Sequence, residues 1–546
     1  MNKGKVLFIN GHLHHYENDF CQPIGLLYIA ANIRNRGFEV KVCDLNYQTQ
    51  DEVLELAKEF SPRWVGLSAI TVQALSAYEM GNRIKRSIPD AKIVYGGVHP
   101  TFFPKEPFTA GSADYVIVGE GENTFYKLIA DDDVKEIRGI LYKQDGTIKE
   151  NNGEDRVQDL DTLPFPAFDL VELRKYSTQL HVYPWASHHA VDTMTSRGCP
   201  YDCSYCASPQ LYKRRIRFRS AENVIEEIKW IKKISGINQI HFHDDNLFLD
   251  KKRALNIFEM MLKSNIDIKW VALANGSTLT NYLNDFDIIA RSGCVGLEIG
   301  LETGDEDVLR AVQKKEEIDD LFKVNEQIHK YNIVPMYLTM TFNVGETLNS
   351  PYKTAKILKE LLPNPDLNIV SLYKNTHEPY CFGQFATPNP GSKFFEQAPD
   401  LGIVLNKTWN DYFQGKSSFI PNSFLDDIPA KIKRISMKAL EEYRGQIHRY
   451  LYPDSPIGKW GWTWLTTRYP YLEKRFLDFF HERCVDDYFL FLYRIYKLCD
   501  EKRTVKEISA IILQKYKERD ISTVCLGFVH LSMFGFIGSS KTTGSL

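Results

Sequence analysis

The feature that most constrains this chain is a double alternation of short apolar runs with amphipathic stretches. Lys5–Asn10, Phe38–Asp44, Trp64–Ile70, Lys92–Tyr95 and Tyr115–Val118 read as strands, with helical stretches at Pro23–Gly37 and near 51–60, 75–87 and 122–130. Runs such as Val65-Gly66-Leu67 and Val116-Ile117-Val118 present no polar face, which suits strands covered on both sides. The pattern predicts an α/β fold that starts with a doubly wound, Rossmann-like parallel domain over 1–135. Such domains bind ligands beyond the carboxyl ends of their strands. Residues 136–190 read as a connector, with a turn at Asp145-Gly146, a candidate hairpin segment at Lys135–Lys143 and Pro164, Pro166 and Pro184 as punctuation. A second alternation fills 191–400. Its strands are Val191–Ser196, Gln239–His243, Lys269–Ala274, Val295–Leu301, Val334–Phe342 and Ile369–Tyr373, with helices near 221–234, 251–263, 284–291, 316–331 and 351–362. Six β/α units predict a partial (β/α)6 barrel whose chemistry gathers at the C-terminal strand ends. From 401 to 546 the pattern becomes mostly helical, rich in Tyr, Arg and Lys.

Composition narrows the function. A chain with 43% hydrophobic and 25% charged residues buries a sizeable core, which excludes wholesale disorder. Lys+Arg 67 against Asp+Glu 70 leaves a net charge of −3, which gives no bulk footprint for nucleic acid. Only one stretch of 18 residues or more, Ile521–Ser540, lacks Asp, Glu, Lys and Arg, and Gly, Ser, Thr and His interrupt its apolar run, so no transmembrane segment is expected. The first residues run into a strand without a signal-peptide apolar region, so a cytoplasmic location is expected. Ten cysteines in 546 residues are too sparse for a disulfide scaffold.

Three of them stand within eight residues: Cys199-Pro200-Tyr201-Asp202-Cys203-Ser204-Tyr205-Cys206. Three thiolates on one short loop do not complete a tetrahedral zinc site. They can hold three irons of a [4Fe–4S] cluster and leave the fourth open. The competing readings are chance clustering and a structural zinc site completed by His188, His189, His241 or His243. The spacing, the position after a strand and the aromatic flank favour the cluster.

The C-x3-C-x-aromatic-C pattern, with Tyr205 before the last cysteine, resembles the signature of the radical S-adenosylmethionine (SAM) superfamily over roughly 190–400. The resemblance implies that SAM chelates the open iron and is cleaved reductively to a 5′-deoxyadenosyl radical, with an electron donor such as flavodoxin or ferredoxin. It also implies a SAM site. Tyr205 flanks the cluster. Asp244 and Asp245, in His241-Phe242-His243-Asp244-Asp245-Asn246, end the second barrel strand and would hold the SAM ammonium; the alternative is a helix N-cap run. Glu298, in Gly296-Leu297-Glu298-Ile299-Gly300-Leu301-Glu302-Thr303-Gly304, resembles the fourth-strand carboxylate for the SAM ribose. Arg310, ahead of Lys314-Lys315, is placed at the SAM carboxylate, with a solvated helix face as its alternative. Gly345-Glu346-Thr347 and Thr387-Pro388-Asn389-Pro390-Gly391-Ser392 resemble family turns.

Residues 1–135 then resemble the cobalamin-binding domain found ahead of many such barrels. The matching pieces are Pro23-Ile24-Gly25-Leu26, Gly66-Leu67-Ser68, Gly96-Gly97-Val98-His99-Pro100 and Gly119-Glu120-Gly121-Glu122. Glycines at strand ends let backbone approach a macrocycle or its tail. Ser68, Gly96, Gly97, His99, Gly119, Glu120 and Gly121 are the candidate cobalamin contacts. The D-x-H-x-x-G motif is missing; Asp44-Leu45-Asn46 stands in its place, and His12, His14 and His15 follow the first strand.

The resemblance as a whole is to class B radical SAM methyltransferases. It implies three cofactors: a [4Fe–4S] cluster, SAM and cobalamin. In the implied reaction, one SAM supplies a methyl through cobalt and a second supplies the radical that removes hydrogen from an unactivated carbon of a small-molecule or peptide substrate. An sp3 carbon has no lone pair for polar methyl transfer, so the cofactors carry the hard chemistry. The alternatives are an oxidative cyclase of the same architecture and a scaffold that has lost catalysis; the three intact cysteines argue against the latter. Thr504 is expected to cap a helix in 485–537, which reads as part of a helical cap over the barrel and faintly resembles a winged-helix or peptide-leader module. Arg444, His448, Arg449 and Arg468 add positive charge to this region.

Overall fold

The computed structural model describes residues 4–13, 21–176, 189–347, 349–361 and 384–401, together with 403, 431–432, 495, 498–499, 503–515 and 537–538. The first sheet has seven strands: β1 Lys5–Asn10, β2 Glu39–Asp44, β3 Trp64–Ser68, β4 Lys92–Gly96, β5 Tyr115–Ile117, β6 Ile140–Gln144 and β7 Thr147–Asn151. Their order is β2-β1-β3-β4-β5-β6-β7. β1 to β5 pair in parallel, and β6–β7 is an antiparallel hairpin added to the β5 edge. The parallel strands carry unbroken apolar runs because helices cover both faces. Leu7, Ile9, Val65 and Leu67 enter one core, while Val6, Phe8, Val40 and Val94 enter the other.

The boundary expected at 135 falls inside this sheet. The hairpin lies five residues later than its expected start, because Asp145 and Gly146 adopt positive φ (+50° and +72°) and set the turn between Gln144 and Thr147. Ile140 and Leu141 are buried in the two cores of the first sheet, which makes the hairpin part of that unit.

The second sheet continues the numbering with β8 Val191–Thr193. A two-residue ladder joins β9 Ser196–Arg197 to β10 Arg217–Phe218. Then come β11 Gln239–Phe242, β12 Lys269–Ala274, β13 Cys294–Glu302, β14 Val334–Thr341 and β15 Gln384–Phe385. The order is β15-β14-β13-β12-β11-β8, all parallel. The expected strand Ile369–Tyr373 lies outside the described residues; the sixth strand seen is β15.

β8 ends at Thr193 rather than Ser196 for a local reason. The Asp244 carboxylate accepts hydrogen bonds from Thr195 N (2.9 Å), Thr195 Oγ1 (2.8 Å) and Ser196 Oγ, which draws the chain out of the sheet into the cysteine loop. Helices Ala221–Ser235, Lys251–Lys263 and Ile318–Lys330 pack on the outer face; the first two are N-capped by Ser220 and Asp250. Their core holds Ile240, Phe242, Trp270, Leu297 and Ile299.

Most of 401–546 lies outside the described residues, including Arg444, His448, Arg449 and Arg468, as do His14, His15 and His188. Within the described part, Thr504 caps helix Val505–Lys515 reciprocally: Thr504 Oγ1 accepts from Glu507 N (3.2 Å) and Glu507 Oε2 accepts from Thr504 N (2.8 Å). No helix among the described residues is long and apolar enough to cross a membrane.

Candidate functional site

The cysteine loop leaves β9 through Gly198, whose φ of +96° and close approach to the Arg215 carbonyl exclude a side chain. It is pinned from two directions. Ser204 N donates to Val312 O (2.9 Å), and Phe394 N donates to Ser204 O (2.8 Å). Lys393 adds an ion pair to Asp202 at 2.7 Å. Cys199, Cys203 and Cys206 are half-buried free thiols. Burial pushes the Cys199 thiol up to about 11 and Cys206 up to about 12, and the neighbouring cysteines add to both shifts. Three thiolates here need cationic compensation, which cluster iron supplies. The residues therefore fit a multi-iron cluster.

Burial, with Glu302 and Cys203 beside it, holds the Tyr205 hydroxyl pKa well above its usual value. Lys314 Nζ lies 3.1 Å from Glu302 Oε1, both side chains nearly buried. Burial opposes the charge on Lys314, but Glu302 and Cys203 outweigh it and hold its pKa above the usual value. Glu302 has a φ of +62° and sits at a register shift of β13. Positive φ at a non-glycine residue is strain that clusters at functional positions. Glu302 and Lys314 were not chosen as site residues from the sequence, although Glu302 repeats the G-x-E pattern of Glu298.

The other SAM candidates separate. Asp244 is consumed by Thr195 and Ser196 and acts as a tether of the loop. Asp245 accepts from Ser208 Oγ at 2.7 Å, beside the cysteines. Glu298 lies deeper, 3% exposed, with Oε2 3.7 Å from His241 Nε2. Arg310 takes the alternative: its side chain is 68% exposed and pairs with Asp307 at 2.5 Å along its own helix. Glu346 and Ser392 hold backbone turns, accepting from Asn343 N (2.9 Å) and Phe395 N (3.1 Å).

An open cavity of about 950 Å3, its mouth included, lies over the ends of β3, β4 and β5. Ser68, Gly96, Gly97, Gly119, Glu120 and Gly121 line it as expected, together with Gly25 and Gly66. A Cβ at Gly25 or Gly96 would meet nothing within 4 Å, so protein packing does not require glycine there; the missing side chains leave room for a ligand. The cradle thus fits the nucleotide tail of a corrinoid. His99 is not part of it. The ring is fully buried against Phe103, 3.6 Å from Glu106. Asp44 is likewise engaged inside the protein, by Asn10 (3.1 Å) and Tyr176 (2.9 Å).

The second half of the chain closes the cavity with Met194, Arg197, Leu211 and Tyr212. Arg197, two residues before Cys199, reaches Glu122 at 2.7 Å and Glu120 at 3.4 Å, and Arg217 pairs with Glu120. Burial raises the Glu120 pKa, but Arg217, Arg197 and Arg156 more than offset it and hold the carboxyl below its usual range. A buried ion-pair network thus joins the glycine-lined cavity to the cysteine loop. Pairing across 75 residues carried no sequence signal.

Family models agree with both halves: a B12 binding domain matches residues 17–129, and the radical SAM superfamily matches 193–358. An uncharacterized methyltransferase of Pyrococcus horikoshii is 29% identical over 71% of this chain and 81% of its own length. The anaerobic magnesium-protoporphyrin IX monomethyl ester cyclase of Synechocystis sp. is 27% identical over 71% of this chain and 76% of its own. The solved structure of OxsB, a cobalamin-dependent SAM radical enzyme with aqua-cobalamin and SAM bound, covers 97% of this chain and 79% of its own, with a TM-score of 0.58 at 16% identity, and so shares the fold. The chain belongs to the radical SAM superfamily, among the members that carry a B12-binding domain ahead of the barrel.

Proposed function

We propose that this protein is a cobalamin-dependent radical SAM enzyme that methylates an unactivated carbon. The observation that carries the reading is the shared wall: Arg197 lines the glycine-rich cavity and stands two residues from Cys199. When bound, the cofactors supply an adenosyl radical and a transferable methyl group. The chain's own residues bind, orient and shield. Cys199, Cys203 and Cys206 hold three irons and leave one open to SAM. Tyr205, Asp245 and the Glu302–Lys314 pair frame that opening with charges of both signs, which suits an amino acid headgroup. Ser68, Gly96, Gly97, Gly119 and Gly121 cradle the cobalamin tail. Glu120 and Glu122 act through Arg197 and Arg217 to fix the distance between the two cofactors. Substrate enters between them, and a small molecule or peptide with a reduced donor such as flavodoxin or ferredoxin completes the system.

The cyclase relative keeps oxidative ring closure as the second reading. Anaerobic turnover with CD3-labelled SAM separates the two. Methylation predicts S-adenosylhomocysteine, 5′-deoxyadenosine and a product 17 mass units heavier, CD3 replacing H. Release of 5′-deoxyadenosine without S-adenosylhomocysteine refutes it and favours cyclisation.

A further inference from the structure

Inside the barrel, four polar side chains converge beside a lumen otherwise lined by Val271, Val334, Met336 and Leu338. Asp192 comes from β8, His241 from β11, His243 from the residue after it, and Glu298 from β13. Strand alternation sends Ile240, Phe242, Leu297 and Ile299 into the opposite, helix-covered core and leaves these four on the inner face.

Asp192, His241 and His243 each offer one ligand atom, and the three atoms lie within 4.8 Å of one another. His241 Nδ1 donates to Asp192 Oδ1 at 3.1 Å. Its Nε2 stands 3.7 Å from Glu298 Oε2, too far for a hydrogen bond. Asp192 is 0%, His241 2% and Glu298 3% exposed, yet Asp192 Oδ2, His241 Nε2 and Glu298 Oε1 have no hydrogen-bond partner. Each buried polar atom left in this state keeps an uncompensated desolvation cost. Two carboxylates and two imidazoles in one pocket are therefore a poor folding device and a good donor set. His243 is exposed and gives the pocket an entry path.

Two histidines and one carboxylate on one face select divalent first-row ions and leave further positions open. A carboxylate on the second ring nitrogen of a ligating histidine fixes its orientation. We infer that Asp192, His241 and His243 bind a divalent first-row metal ion of the Mn2+ or Fe2+ type, with Glu298 as the positioning carboxylate of His241. On binding, the metal takes the place of the proton on His241 Nδ1, that proton moves to Nε2 so that the ring stays neutral, and Glu298 accepts from Nε2–H. The site uses none of the three cysteines, and of the SAM candidates read from the sequence it takes only Glu298, which is buried beside His241. Its failure would leave the cluster and cobalamin reading untouched.

The test is a Mn2+ titration of full-length protein loaded with both cofactors in diamagnetic oxidation states, without SAM. Free Mn2+ is followed by electron paramagnetic resonance. The wild type is expected to remove one equivalent. His243→Gln, at an exposed position, is expected to bind at least about 100-fold more weakly, and Glu298→Gln about 10–100-fold more weakly. Unchanged cluster absorbance and corrinoid content show that each variant is folded. No depletion by the wild type overturns the inference. So does undiminished binding by His243→Gln, which would place the ion elsewhere.

Discussion

Arg197→Met tests the joint between the two halves. Arg197 is 7% exposed and Glu122 3%, with their charged groups 2.7 Å apart. Methionine keeps the apolar stem and removes the charge. Glu120 retains Arg217, but Glu122 loses the charged partner it reaches at 2.7 Å. Leaving one carboxylate buried without its partner costs about 3–5 kcal/mol. Loss of the guanidinium over the Tyr28 ring, 5.1 Å from its centroid, adds about 0.5–1 kcal/mol. Neutralising both partners in Arg197→Met/Glu122→Gln removes the stranded charge, so the pair should show a coupling energy of about 2–3 kcal/mol. Denaturant midpoints of anaerobically purified single and double variants, read by tryptophan fluorescence and by corrinoid release, close the cycle. Corrinoid retention should fall in the single variant and recover in part in the double. A single-variant cost under about 1 kcal/mol, or strictly additive effects, would refute the claim that this pair holds the domains in register.

Gly96→Leu should fill the cavity without a protein clash. Corrinoid content is expected to fall sharply while stability stays within about 0.5 kcal/mol of wild type. Burial, helped by Asp305, raises the Glu346 pKa to about 8 from 4.5. Between these values the folded chain keeps a proton the unfolded chain has lost, so stability falls as pH rises through that window and levels off above it. Glu346→Gln should flatten this slope in melts from pH 5 to 9, and an unchanged slope would contradict the assignment. Arg310→Ala should leave SAM affinity unchanged in equilibrium dialysis, whereas Lys314→Met, which strands Glu302, should lower it together with cluster yield.

Local signals wrote much of the fold plainly. Lys5–Asn10 and Lys269–Ala274 end where the apolar runs end, and Thr504 caps its helix as read. Departures came where distant groups compete with local pattern. β8 stops early because Asp244 captures Thr195 and Ser196, and the hairpin joins the first sheet because Ile140 and Leu141 complete its cores. In the site, the cysteines announce themselves by spacing. Arg310 and Lys314 stand four residues apart on one stretch, and only packing decides that Lys314 turns inward. His99 follows the cavity glycines in sequence, yet its ring packs away from them against Phe103.

The central claim is a cluster held by three thiolates with one iron open, beside a corrinoid. Anaerobic reconstitution followed by counting iron, sulfide and zinc, and by the resonance spectrum of the reduced cluster with and without SAM, tests it most directly. The account predicts four irons and four sulfides per chain, and a spectrum that shifts on adding SAM. One zinc per chain, or a reduced cluster whose spectrum ignores SAM, would contradict it.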